Sequence, residues 1–379
     1  MITCYNGVML LFVLGRQPEI GFAELRAMFG PKVELHGNLA LLDDAIDVDF
    51  DRLGSIVKVA EVVDDAWKTI DQHLPAEGKV TIGLSTYGTK LSPRELFRFG
   101  LDAKKHRGSV RLVPSTETAL SSATVFHNKL TKPNKIEFIL ATIAGREVLA
   151  KTIFVQDIPA YTFRDRSRPK RDARVGMLPP KLAQTMINLA AGAAASTEEA
   201  NQTLLDPFCG TGVVLQEAAL MGLSVYGIDL EPRMIEYSQA NLEWLGHTHR
   251  ISVASKLEVG DATSHRWQSP IDIVATETHL GRPFATAPSP AVLAEVMKTC
   301  NIILSKFLSN LREQITPEAG LTIAVPCWFA NGKTHHLPLI RNITDIGFEQ
   351  VFYSDKPTPL VYHREDQVVG RELLVLRKH

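Results

Sequence analysis

The run Leu204-Leu205-Asp206-Pro207-Phe208-Cys209-Gly210-Thr211-Gly212 leaves a strand, turns tightly and opens a helix. Its two glycines let a ligand approach the backbone at the carboxyl end of the strand, the usual crevice of an open α/β sheet. Asp206 stands at the strand tip, where its carboxylate can accept hydrogen bonds from a polar ligand. Tyr226-Gly227-Ile228-Asp229 ends the next strand on a second acid, suited to gripping ribose hydroxyls. Val259-Gly260-Asp261-Ala262 follows a third strand, with Asp261 placed to meet an adenine amine. A glycine pair by itself often serves only packing, whereas acids at three successive strand ends form a binding edge. Gly212 is followed by Val213 and Val214, so the Gly-Lys-Ser/Thr of a phosphate loop is missing. The third glycine of a dinucleotide turn is missing too. Carboxylates in place of phosphate-binding groups suit a cationic ligand that carries an adenosine, and S-adenosylmethionine is such a ligand.

The elements that must hold these residues can be read from periodicity. From about residue 174 onward, strands at 203–205, 224–228, 257–259, 271–275 and 321–325 alternate with helices at 181–190, 213–221, 232–245 and 291–311. That alternation predicts a mostly parallel sheet with both faces covered. The 232–245 helix has its stop at Gly246. Two late β-rich segments, 348–353 and 372–376, have no strong helix between them and predict an antiparallel edge hairpin. Earlier in the chain, residues 8–14 read as a buried strand and 19–29 as a helix closed by Gly30-Pro31. A second unit holds strands at 80–85, 110–113, 138–143 and 147–155. Its helix at 93–105 is entered through the N-cap pair Ser92-Pro93, and another spans 120–130.

Composition is that of an ordinary globular chain: 379 residues, 45% hydrophobic and 22% charged. The formal charge of −1 hides a gradient. Residues 101–181 hold 16 basic and 7 acidic side chains, whereas residues 201–300 hold 6 and 11. Such unevenness points to a nucleic-acid face better than the total does. No apolar run approaches the ~20 residues of a spanning helix, and the 8–14 stretch lacks the basic lead-in of a signal peptide. Cys4, Cys209, Cys300 and Cys327 form no C-x-x-C pair, which argues against a metal site or disulfide framework and for a reducing, cytoplasmic setting.

The D-P-F-C-G-T-G run with its downstream acids resembles the class I S-adenosylmethionine-dependent methyltransferases, in their RNA methylase branch. Arg168-Pro169, followed by Arg171-Asp172-Ala173-Arg174-Val175-Gly176-Met177-Leu178-Pro179-Pro180-Lys181, fits the same branch. Leu112-Val113, Leu120-Ser121-Ser122-Ala123, His127-Asn128 and Val155-Gln156-Asp157 resemble a THUMP domain. The segment before it is similar to the ferredoxin-like unit that precedes such domains. The resemblance covers about residues 80–281 and implies a THUMP-containing tRNA guanosine-N2 methyltransferase that modifies position ten. It implies an α/β chain in three parts: a ferredoxin-like unit at 1–75, a THUMP domain at 76–165 and a Rossmann-like methyltransferase domain at 166–379. It also implies a cofactor set of Asp206, Phe208, Gly210, Gly212, Asp229, Leu230, Asp261, Ala262 and Glu277.

Amine-methylating relatives carry (D/N)-P-P-(Y/F) at the end of the fourth strand, where acid and carbonyl accept from the amine and the ring stacks on the base. This chain has Thr276-Glu277-Thr278-His279-Leu280-Gly281 there. The resemblance makes Glu277 the residue that holds the amine and His279 a ring that can contact the base. Two prolines and the aromatic ring are replaced, so stiffness and a stacking platform must come from elsewhere. Cys209 reads as a small filler. Cys327, after the fifth strand, reads as structural rather than as a thiolate nucleophile.

Basic residues cluster at Arg164, Arg166, Arg168, Lys170, Arg171 and Arg174, at Lys104, Lys105 and Arg107, and at Lys129, Lys132 and Lys135. Such groups contact phosphates, with Tyr161 and Phe163 available to stack a base. Reaching a base inside a tRNA helix would require flipping it toward Glu277. Two other readings stay open on these residues: a non-catalytic tRNA-binding protein that keeps the scaffold, and a methylase of another RNA or DNA base.

Overall fold

The computed structural model describes residues 3–5, 8–44, 46–106, 109–172, 177–194, 202–268, 270–354 and 356–379. The chain divides into two compact units, Met1–Tyr161 and Thr162–His379, with the boundary inside the helix Ile158–Arg166.

The first unit is built on one nine-stranded sheet. Its main path runs Glu34–His36, Leu39–Asp43, Met9–Leu14, Ile56–Asp64, Arg146–Val155, Lys135–Ile143, Val80–Tyr87 and Val110–Leu112. The helix Pro18–Phe29 buries Ile20, Phe22, Ala23 and Leu25, and its apolar face joins Leu10, Phe12 and Leu42 in one core cluster. Pro93–His106 opens on a capping box: Glu95 accepts from the Ser92 backbone at 2.8 Å, and Ser92 Oγ accepts from the Glu95 N–H at 3.3 Å.

A division near residue 75 does not separate two sheets. Ile56–Asp64 pairs antiparallel with Arg146–Val155, so strands from both sides of that position share one ladder. Lys58 interrupts the apolar pattern of this strand, which hides it from a periodicity reading. The interruption is internally satisfied: Lys58 Nζ lies 2.5 Å from Glu137 Oε1 and donates to Leu120 O at 2.7 Å.

In the second unit the strands are numbered β1 (Thr203–Asp206), β2 (Ser224–Asp229), β3 (Ser255–Val259), β4 (Ile273–Glu277), β5 (Gly320–Ala330), β6 (Phe348–Gln350) and β7 (Val369–Lys378). Their order is β3-β2-β1-β4-β5-β7-β6. The first five are parallel, while β7 is antiparallel to both β5 and β6. The predicted late hairpin is thus corrected: the two segments do pair, but β7 lies inside the sheet, with β6 and the short strand Leu360–Tyr362 along its outer side. β7 can sit there because Gly370 and Leu373–Leu376 are buried and can pack on both faces.

The helices are α1 (Pro180–Ala193), α2 (Val213–Leu220), α3 (Pro232–His249) and α4 (Pro290–Arg312). α1 is buried almost along its length and packs on β4, β5 and β7. It comes so close to the start of β5 that a Cβ on Gly320 would lie 1.9 Å from Ala190 O. α4 contributes Leu293, Leu304, Phe307, Leu308 and Leu311 to the main core with Leu205, Val274 and Ile323. α3 runs past its predicted stop. Gly246 is helical, and its carbonyl accepts from Arg250, which adopts the left-handed cap conformation instead. Among the described residues, no helix is long and apolar enough to cross a membrane.

Candidate functional site

Strand order reverses between β1 and β4, which leaves a crevice outside their carboxyl ends. A cleft of about 670 Å³ opens there. Asp206, Phe208, Gly210, Asp229, Leu230, Asp261, Ala262, Glu277 and His279 all line it. The cofactor and acceptor residues expected from the sequence, Gly212 apart, therefore converge on one cavity, closed on another side by Ile302, Ile303 and Lys306 of α4.

The turn after β1 is held by its own backbone and by β2. Cys209 N–H donates to Ile228 O at 2.9 Å, and Gly212 N–H donates to Cys209 O at 2.7 Å. Asp229 accepts from the Gly210 N–H and the Glu231 N–H, both at 2.9 Å. Gly212 supports the turn rather than lining the cleft. It adopts φ 78°, and a Cβ there would lie 2.8 Å from Ser238 Oγ on α3. Asn241, also on α3, donates to Thr211 O at 2.8 Å and to Lys170 O at 2.9 Å. It thereby ties the turn to the basic segment before α1.

Asp206 is almost wholly buried and accepts from Thr276 Oγ1 at 2.6 Å and from the Phe208 N–H at 3.3 Å. Burial, reinforced by the nearby Asp229 and Glu277 carboxylates, pushes its carboxyl up to about 7 against those hydrogen bonds. Asp261 is exposed and accepts from the Thr263 N–H at 2.9 Å. Phe208 meets Phe307 edge-on at 5.1 Å, and Leu230 stands out at 67% exposure.

Glu277 ends β4, and burial raises its carboxyl above the ordinary range. The opposing influence is Arg371 on β7, whose Nε donates to Glu277 Oε1. Arg371 is a partner of Glu277 that reading along the chain missed. The available signal was the charged pair Arg371-Glu372 inside the apolar run Val368–Leu376. Thr278 N–H donates to Ala324 O at 3.0 Å, so the loop that lacks prolines is pinned to β5 instead. Gly281 adopts φ 78° and turns the chain after exposed His279. Cys327 is buried, and desolvation pushes its thiol to about 12. Burial also raises the Cys209 thiol, so neither forms a thiolate readily.

The basic clusters are only partly presented to solvent. Arg166, Lys170 and Arg171 are exposed, as are Lys104 and Lys105 on Pro93–His106. Arg164 and Arg168 are not, which corrects their placement on a phosphate-binding face. Arg164 forms a two-pronged pair with buried Glu217, at 2.8 and 3.1 Å. Arg168 is 3% exposed, with a nitrogen 3.0 Å from Met177 Sδ and 3.6 Å from Asp165. Arg107 and Arg174 lie outside the described residues. Tyr161 is buried, and Phe163 packs against Trp244 at 5.5 Å. Among the described residues, no group of three or more His, Cys, Asp or Glu is placed to hold a metal ion.

A doubly wound sheet with an antiparallel seventh strand, and an acid at or just beyond the ends of β1, β2, β3 and β4, defines a class I methyltransferase domain. Residues 168–293 match the UPF0020 family, described as the RMKL-like methyltransferase domain. A tRNA (guanine(10)-N2)-dimethyltransferase from Pyrococcus abyssi is 34% identical over 156 residues, 40% of this chain and 42% of the relative. A relative of the same name from Methanothermobacter thermautotrophicus is 38% identical over 112 residues, 30% of each chain. The chain thus matches less than half the length of these relatives. The solved structure of TrmN from Thermus thermophilus covers 98% of this chain and 100% of its own at a TM-score of 0.53 and 16% identity, a likeness of fold.

Proposed function

We propose that this chain is an S-adenosylmethionine-dependent tRNA methyltransferase acting on the exocyclic N2 of a guanosine, at position ten. The observation that carries this reading is the convergence of Asp206, Asp229, Asp261 and Glu277 on one cleft at the strand-order switch. The cleft fits the cofactor by the chemistry of its lining. Several carboxylates favour a sulfonium cation, Asp229 suits ribose hydroxyls, and Phe208 and Leu230 offer apolar contact. When bound, S-adenosylmethionine supplies an electrophilic methyl group.

The chain's own residues do the rest. A guanine amine is a weak nucleophile because its lone pair is delocalised into the ring. Glu277 accepts one N–H of that amine, orients its lone pair along the line of displacement, and receives the proton the nitrogen sheds as it gains carbon. The elevated proton affinity of a largely buried carboxylate suits this last role. Thr278 and Gly281 set the loop that presents Glu277. Exposed Arg166, Lys170 and Arg171 serve the tRNA backbone. Residues 76–165 act as a THUMP RNA-binding region with 1–75 as its ferredoxin-like lead-in, inside one continuous sheet.

Labelled methyl transfer to undermodified tRNA, followed by nucleoside mass spectrometry, tests this reading. N2-methylguanosine or its dimethyl form is expected, with Glu277→Ala lowering the rate by about 10²–10⁴. Cofactor binding without transfer to any tRNA would leave the scaffold reading. A methylated nucleoside other than guanosine would assign another base.

A further inference from the structure

The loop after β4 has neither of the prolines that would stiffen it, yet its acid must be held still to orient an amine. The sheet supplies a substitute from far along the chain. Glu277 pairs in register with Ala324 of β5, while Arg371 of β7 pairs in register with Pro326 of the same strand. The ion pair therefore reaches over β5, joining the strands on either side of it. Arg371 is 9% exposed and cannot swing freely, and its Nε holds Glu277 Oε1. Strand alternation turns the next residue, Glu372, to the opposite face, where its Oε2 lies 2.6 Å from His336 Nδ1. Glu372 therefore has a partner of its own and does not compete for the guanidinium.

We infer that Arg371 is the positioning residue of the acceptor site: by fixing one carboxylate oxygen of Glu277 across β5, it leaves the other for the acceptor amine. This rests on the methyltransferase reading of the cleft. The planar guanidinium fixes direction as well as charge, which a lysine ammonium does not. The groups facing Glu277 sort by element. Asp206 from β1 adds negative charge, and Asp229 from β2, Lys306 from α4 and His279 from the loop line the same cleft. The Cys327 thiol is acted on by both Arg371 and Glu372. Among the described residues, Arg371 is the cation paired with Glu277. Without it, burial acts unopposed and favours the protonated acid, which can no longer take the proton the amine sheds.

The test uses the full chain with carboxyl-¹³C glutamate, the Glu277 signal being assigned by its loss in Glu277→Gln. Arg371→Gln is expected to move the Glu277 titration to higher pH. It should lower kcat about 10–100-fold at neutral pH, with the KM for tRNA changed less than about threefold, and the loss should shrink at pH 9. Arg371→Lys is expected to keep the titration near the wild-type position while kcat still falls, because charge is restored and direction is not. A purely structural role predicts a loss independent of pH in both variants. The inference is overturned if folded Arg371→Gln or Arg371→Lys retains wild-type kcat and its pH profile. If Arg371→Gln does not fold, Arg371→Lys decides by the same comparison. Failure of the wild-type protein to methylate any tRNA would sink the methyltransferase reading instead, and the glutamate titration would still report whether Arg371 controls Glu277.

Discussion

Thr276 Oγ1 donates a 2.6 Å hydrogen bond to Asp206 Oδ1, joining the ends of β4 and β1 where the strand order reverses. It places a hydroxyl donor on a carboxyl that burial drives toward the neutral form. This relationship makes the site's stability depend on pH. Asp206 has a folded-state value of about 7 against an ordinary 3.8. Its favourable contribution is fully present below the ordinary value and is lost as pH rises through about 7. The ligand-free protein should thus lose stability between those limits, by roughly 4 kcal/mol at most from this group. Asp206→Asn should flatten that slope and raise the melting temperature at pH 8, while weakening cofactor binding. Thermal melts at pH 5 and pH 8 check this; parallel pH curves for the two proteins would contradict it.

Arg164 and Arg166 differ by two positions and should behave in opposite ways. Arg164→Ala strands buried Glu217 without its partner and should cost about 3–5 kcal/mol of stability. Arg166→Glu should leave the melting temperature within about 1–2 °C, since surface changes are mostly small, while weakening tRNA binding and reducing its salt dependence. Chemical denaturation and binding titrations at several salt concentrations separate the two effects.

Inside the first unit, Glu137 accepts from Ser85 Oγ, from Thr152 Oγ1 at 2.6 Å and from Lys58. Ser85 Oγ also accepts from the Leu120 N–H at 2.8 Å. Lys58→Met leaves this buried carboxylate without its cation and should destabilise the chain by about 3–5 kcal/mol. Urea unfolding reads the difference. A loss below about 1 kcal/mol would mean that the hydroxyls alone satisfy Glu137.

Gly212→Ala puts a methyl against Ser238 and forces an L side chain to φ 78°. A stability loss of about 1–3 kcal/mol is expected, with weaker cofactor affinity because the turn carrying Phe208 and Gly210 must shift. Calorimetry with S-adenosylmethionine measures the second effect. Ser238→Ala in the same background should recover part of both losses.

The cofactor edge was legible along the chain because its grammar is local. A strand, an acid at its tip, a glycine turn and a helix follow each other within about a dozen residues, and parallel strands bring successive tips to one side. Asp206, Asp229 and Asp261 follow from that pattern alone, whereas Glu277 follows from resemblance to the acceptor loop of amine-methylating enzymes. Pairing between distant residues was not legible. Glu277 finds Arg371 only because β7 inserts beside β5, and the strand Ile56–Asp64 fuses the first two segments only by pairing with Arg146–Val155. The two fates of the basic cluster were likewise hidden. Arg164 and Arg168 turn inward to Glu217 and Met177 while Arg166 stays in water, although all three share one short run of sequence. Local patterns reflect the periods of helix and strand, so the sequence alone determined where the binding edge lies. Which charges face each other across a sheet or into a core depends on strand order and burial, and only the tertiary structure decided that.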